Sequence, residues 1–160
     1  MLLLLIVLLQ FLSPSHVLAE MFAGRVVAAV DGDTIEVLLA RRLERIELHG
    51  IDCPEKGQPF GRQAKDATSD LTVGKQVAIV KRARDRDQHI VADVLLPDGR
   101  NLNQKLVLNG WCWWSRNYAP KDMALRQAEE VAKVTKKGLW ANPDPVPPWV
   151  YRRIRPWVQR

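Results

Sequence analysis

At 160 residues the chain has room for one domain and not for several, and 24 Lys and Arg against 18 Asp and Glu leave a formal charge of +6. A basic domain of this kind faces nucleic acid, anionic lipid or an acidic cell-wall polymer, and charge alone does not choose among them. Its two cysteines, Cys53 and Cys112, allow one disulfide at most.

Residues 2–12 (L-L-L-L-I-V-L-L-Q-F-L) are apolar but too short for a comfortable membrane span. S-P-S-H and V-L-A follow before Glu20, which is the pattern of an export signal cut after Ala19. A retained anchor is the alternative. His16 goes with this segment. The mature chain keeps every Lys, Arg, Asp and Glu, and export to a periplasm or out of the cell is expected.

Ala23–Val30 reads as a first strand. Thr34–Leu39 is rich in β-branched and apolar residues and Arg45–Ile51 alternates polar and apolar, so the two read as an antiparallel hairpin joined through Ala40–Glu44. With the turn centred near Arg42 and Leu43, Asp33 falls across from Asp52 at the open end, and directly opposed residues sit about 5 Å apart. Two carboxylates at that spacing suit one hard cation and repel each other without it. Glu55, just past Pro54, then reaches a neighbouring water. Alone, V-D-G-D-T at 30–34 is a turn of solvated acids; together with G-I-D-C-P-E at 50–55, a shared site is the stronger reading.

Phe60, Ala64, Ala67 and Leu71 recur at three-to-four spacing in a helix opened by Pro59-Phe60-Gly61 and ended by Gly74. Gln76–Arg82 and Ile90–Leu96 read as strands joined by a charged loop, R-A-R-D-R-D-Q-H, whose basic run is half-neutralised by Asp85 and Asp87. Pro97–Arg100 is a turn and Asn101–Leu108 a short helix stopped by Asn109-Gly110. Trp111–Trp114 is compact and apolar, and Met123–Lys136 is an amphipathic helix with a basic, glycine-terminated end. Trp140, after Gly138, staples that helix to the body. From Asn142 the proline-rich tail is expected to be extended. Five strand candidates and about three helices predict a β-rich α+β fold, a five-stranded barrel braced by helices. The domain plan is a signal over 1–19, the barrel over 20–141 and a Pro/Arg/Trp-rich tail over 142–160.

Export makes a Cys53–Cys112 disulfide permissible; it would close a loop of about 60 residues and contribute about 4 kcal/mol in the chain-entropy model. Two separate buried thiols are an equal alternative. In the tail, Trp149, Tyr151 and Trp157 interleave with Arg152, Arg153, Arg155 and Arg160. That mixture can grip a polyanion, and the preferred alternative is a tail along the barrel with its arginines in water. His49 reads as a packed or surface strand residue.

Strand, D-G-D-T, strand, I-D-x-P-E, helix, strand, charged loop, strand, P-D-G turn and a short helix with N-G: in this order and spacing, from about Phe22 to Trp140, the chain resembles the staphylococcal nuclease (thermonuclease-like) family. The resemblance implies an OB-fold barrel and calcium-dependent endonucleolytic hydrolysis of DNA and RNA phosphodiesters. It places Asp33 and Asp52 as calcium carboxylates, the Cys53 carbonyl as a backbone ligand, Asp31 in the outer shell and Glu55 on the attacking water. Tyr118 falls near a position that packs against the nucleotide, and Arg86 belongs to the loop expected near the nucleic acid.

Two departures stand out. The family's V-R-L-x-G-I-D pattern reads I-E-L-H-G-I-D here, putting Glu47 in place of an arginine, and its D-R-Y-G-R reads D-R-D-Q-H, putting His89 in place of a second. Those arginines hold the phosphate. Losing one charge-stabilising donor costs about 10²–10³ in rate. Two such losses need not multiply. Arg45, Arg84 and Arg86 are the nearest substitutes. The expectation is therefore a monomeric, exported, thermonuclease-like protein with hydrolysis weak or lost. The alternative is an inactive OB-fold module that binds single-stranded DNA, RNA or another polyanion. Neither spans a membrane once the signal is removed.

Overall fold

Three strand-forming stretches open residues 20–158, the part that this computed structural model describes, as β1 (Met21–Ala29), β2 (Thr34–Leu39) and β3 (Arg42–Leu48). The expected export signal lies outside the described residues. After a turn at Gly50, with φ 75°, β4 (Ile51–Asp52) leaves the sheet. β5 (Gln76–Arg84) and β6 (Ile90–Leu95) close it into a five-stranded barrel in the order β1-β2-β3-β6-β5, antiparallel except for the β3–β6 pair. The barrel core is apolar: Ile35, Val37, Ile46, Ile79 and Val94 are fully buried. This is the predicted class, with four α-helices among the described residues where about three were expected.

The hairpin register differs from the sequence expectation. Ala40 and Arg41 take φ of 43° and 73°, which makes a two-residue turn whose twist matches the strands it joins. Thr34 therefore faces Glu47 and Leu39 faces Arg42, and the Leu48 N–H donates to the Asp33 carbonyl at 2.8 Å. Asp33 thus meets Leu48 and not Asp52. The Gly50 turn nevertheless brings the second acidic motif back, because the Cys53 N–H donates to Asp33 Oδ2 at 2.6 Å.

α1 (Gly61–Thr72) packs over the first acidic motif, with Thr68 Oγ1 donating to the Gly32 carbonyl at 2.6 Å. Gly32 is required by close approach: a Cβ there would lie 2.6 Å from the Cβ of Cys53 and 2.9 Å from that of Ala64. α2 (Leu102–Leu108) carries buried Asn103, whose Nδ2 donates to the carbonyls of His49 and Ala92 at 2.9 and 3.1 Å. β7 (Trp113–Trp114) pairs with β4. α3 (Met123–Val134) holds buried Glu129, which accepts from Arg116, Lys133 and the Trp114 N–H. A 3-10 turn, Gly138–Ala141, seats Trp140 edge-on against Trp113 at 5.5 Å.

The Sγ atoms of Cys53 and Cys112 are bonded, 59 positions apart in sequence. The bridge ties the second acidic motif to the segment entering β7. Replacing both cysteines by alanine is expected to lower unfolding stability by about 4 kcal/mol, read from denaturant midpoints with and without reductant. A variant as stable as the oxidised protein would show that the bridge contributes nothing.

The tail is not extended. Pro148–Val158 forms α4. A proline at the first helical position is compatible with a helix, since its φ is preset and its missing N–H has no intrahelical partner there. Val150 and Tyr151 N–H both donate to the Pro147 carbonyl at 3.0 Å. The helix is anchored by Trp149, 6.4 Å from Trp113, and the segment before it by Gln58 Nε2 donating to the Val146 carbonyl at 2.7 Å. No helix among the described residues is long and apolar enough to cross a membrane.

Candidate active site

The two acidic motifs converge where β2 begins and β4 ends. Asp31 Oδ1 accepts the Asp33 N–H at 3.1 Å, shaping the loop so that the Asp33 carboxylate turns toward Cys53. Burial first, then the charge of Asp31 and, more weakly, that of Asp52, push the Asp33 carboxyl well above the ordinary carboxylate range. Glu55 follows Pro54, its N–H fixed on Gln58 Oε1 at 2.9 Å. A cleft of about 470 Å³ opens beside these groups, lined by Asp33, Glu47, Asp52, Asp85, Tyr118 and Arg152 among others. Tyr118 is 79% exposed, free to stack on a base. A larger concavity of about 640 Å³ between α2 and α3 has no carboxylate among its lining residues and lies away from this chemistry.

Arg152, which the sequence offered only as one of several tail arginines, belongs to this site. From α4 its Nη2 donates to Asp52 Oδ2 at 2.7 Å, while Nη1 donates to Asp52 Oδ1 at 3.1 Å and to Glu55 Oε1 at 2.7 Å. The expectation that the tail arginines stay in water fails for this one, because the helix lays Arg152 on the same side as the anchoring Trp149 three positions earlier. The alternation of tryptophan and arginine was visible in the sequence; the prolines concealed its helical period.

Glu47 and His89 close on each other. His89 Nδ1 lies 3.0 Å from Asp85 Oδ2 and 3.8 Å from Glu47 Oε1. Partial burial first, and then Asp85, hold the Glu47 carboxyl above its ordinary value. Among the described residues, these three side chains alone bring a trio of metal-ligating atoms within 4.8 Å of one another; Asp33, Asp52 and Glu55 do not gather so closely. Arg86 stays exposed on the turn before β6, outside the cleft lining. Arg45 is drawn off to Glu36 at 3.7 Å, and Arg84 Nη1 donates to the Gln88 carbonyl at 2.5 Å. His49 lines the cleft, its Nδ1 3.6 Å from Asp93.

The profile of the family described as "Staphylococcal nuclease homologue" matches residues 45–142, more than half of the chain. The chain belongs to the staphylococcal nuclease family. Over 145 residues it is 42% identical to a protein described as "Uncharacterized endonuclease" from Escherichia coli, covering 91% of this chain and 94% of that one. It is 36% identical over 141 residues to "Micrococcal nuclease" from Shigella flexneri, covering 82% of this chain and 81% of the relative. The five-stranded barrel of this family member is an OB-fold, and its family function is that of a nuclease. The matched span ends at residue 142, before α4 begins at Pro148.

The residues present fit a hard divalent cation. Carboxylate oxygens are the donors at hand, Asp33 carries an excess of neighbouring negative charge, and a cationic group already rests on Asp52 and Glu55.

Proposed function

We propose that this family member is an exported, monomeric, calcium-dependent endonuclease for DNA and RNA, with turnover below that of members carrying both phosphate-binding arginines. The observation that supports it most is that the Cys53 N–H on Asp33 brings the two acidic motifs together beside an open cleft, where Arg152 spans Asp52 and Glu55. Asp33 and Asp52, with the Cys53 carbonyl, would hold the calcium, and Asp31 positions Asp33. When bound, the cation supplies positive charge to a phosphate oxygen. Glu55 keeps Oε1 on Arg152 and offers its other oxygen to a water, taking the proton as the water oxygen bonds to phosphorus. The opposite phosphorus–oxygen bond breaks and the departing oxygen takes a proton from solvent. Tyr118 stacks on the adjoining base.

Digestion of single-stranded DNA and of RNA by the purified chain tests this. Cleavage should depend on calcium and stop on chelation, at a kcat about 10²–10³ below a relative with both arginines. Turnover equal to such a relative would overturn the reduced rate. No cleavage, with steeply salt-dependent binding that survives chelation, would favour a polyanion-binding module instead.

A further inference from the structure

Resting on that reading, we infer that Arg152 is the phosphate-gripping guanidinium of this site, delivered by α4 from outside the barrel in place of the arginines absent from the strand and the loop. The cleft lining carries four carboxylates, Asp33, Glu47, Asp52 and Asp85, and two arginines, Arg84 and Arg152. Arg84 is held to the carbonyl of Gln88 on its own loop. That leaves Arg152, about half exposed, as the guanidinium beside the carboxylates that position cation and water. A phosphodiester entering this cleft meets net negative charge, and one planar, permanently charged donor fork is what its oxygens require.

Two features show the position to be built rather than incidental. α4 is docked by contacts that do not involve Arg152, namely Trp149 on Trp113 and the Gln58 amide on the Val146 carbonyl. Arg152 also spans both acidic groups with three hydrogen bonds, so its head lies between the Asp52 and Glu55 carboxylates. A divalent cation binding Asp52 competes for the same oxygens, and linkage requires it to loosen Arg152 from Asp52. The helix keeps the guanidinium tethered at the cleft, with Glu55 as its remaining partner, and its freed donors turn to the phosphate.

The test compares the full chain with Arg152→Ala, Arg152→Lys and the exposed neighbour variant Arg153→Ala, each checked for unchanged melting. Three quantities are read: kcat and KM on single-stranded DNA, the affinity of a fluorescein-labelled oligothymidylate in calcium at fixed salt, and the calcium isotherm without oligonucleotide. Arg152→Ala should lower kcat about 10²–10³-fold and weaken oligonucleotide binding at least about tenfold, while calcium binds several-fold tighter because its competitor is gone. Arg152→Lys should recover part of the loss and Arg153→Ala should match the parent. If Arg152→Ala cleaves as well as or better than the parent, the contact is at most a plug on the metal site and the inference fails. If the parent itself cleaves nothing, the nuclease reading fails separately. Arg152 is then judged on oligonucleotide affinity: a loss confined to the Arg152 variants upholds it, and equal affinities overturn it.

Discussion

Replacing Glu47 and His89 together by arginine is expected to raise kcat on single-stranded DNA by about 10²–10³. Glu47 lies across the hairpin from Thr34, one residue from Asp33, and lines the cleft beside Asp52. A guanidinium there would add a second cation to the cleft that Arg152 also lines. Glu47 is worse for that task than a deletion, since any ionised fraction repels the phosphate. His89 has its Nδ1 engaged by Asp85, so that nitrogen is not available to a phosphate. The two substitutions act on one phosphate, and their gains should be less than multiplicative. Single and double variants with unchanged melting, assayed at saturating calcium, measure this. A flat series would place the rate limit outside these two positions.

Asp33→Asn should abolish calcium binding and, in chelator, make the protein more stable than its parent. The raised Asp33 pKa carries the sign. A carboxyl that binds its proton more tightly when folded than when unfolded costs stability as pH rises from its unfolded pKa through its folded one, and above the folded pKa that cost stands in full. Asparagine carries no such charge and keeps an oxygen for the Cys53 N–H. The melting temperature in chelator should therefore rise by roughly 2–8 °C near neutral pH, with a smaller difference from the parent in acid. The parent's calcium affinity should fall as acid protonates Asp33. Calorimetric calcium titration and melting curves across pH read both arms; an asparagine variant that melts lower at neutral pH would contradict the electrostatic account.

The two acidic motifs of the candidate site were legible because they are local. D-G-D-T and I-D-C-P-E can be read in a few residues each, and the β-branched periodicity of Thr34–Leu39 appears in the strand that sets them apart. The expectation that Asp33 lies directly across the hairpin from Asp52 fails, although the two acidic motifs do come together. An assumed turn at Arg42 and Leu43 gave the proximity, whereas the molecule turns at Ala40 and Arg41 and recovers the contact through Gly50. A two-residue turn with positive φ at alanine and arginine is not what composition suggests there, since asparagine and glycine usually fill it.

The amino-acid sequence by itself determined the strands and the barrel class and displayed the two acidic motifs, because side-chain periodicity and motif spacing are properties of neighbouring residues. Only the tertiary structure decided that the tail is a helix and that Arg152 meets Asp52 and Glu55 across 100 and 97 positions of sequence. It also decided that Glu47 and His89 gather around Asp85. Such contacts depend on how Trp149 and Gln58 seat one segment against another. No local pattern encodes a side chain's partner when docking, rather than propensity, places it there.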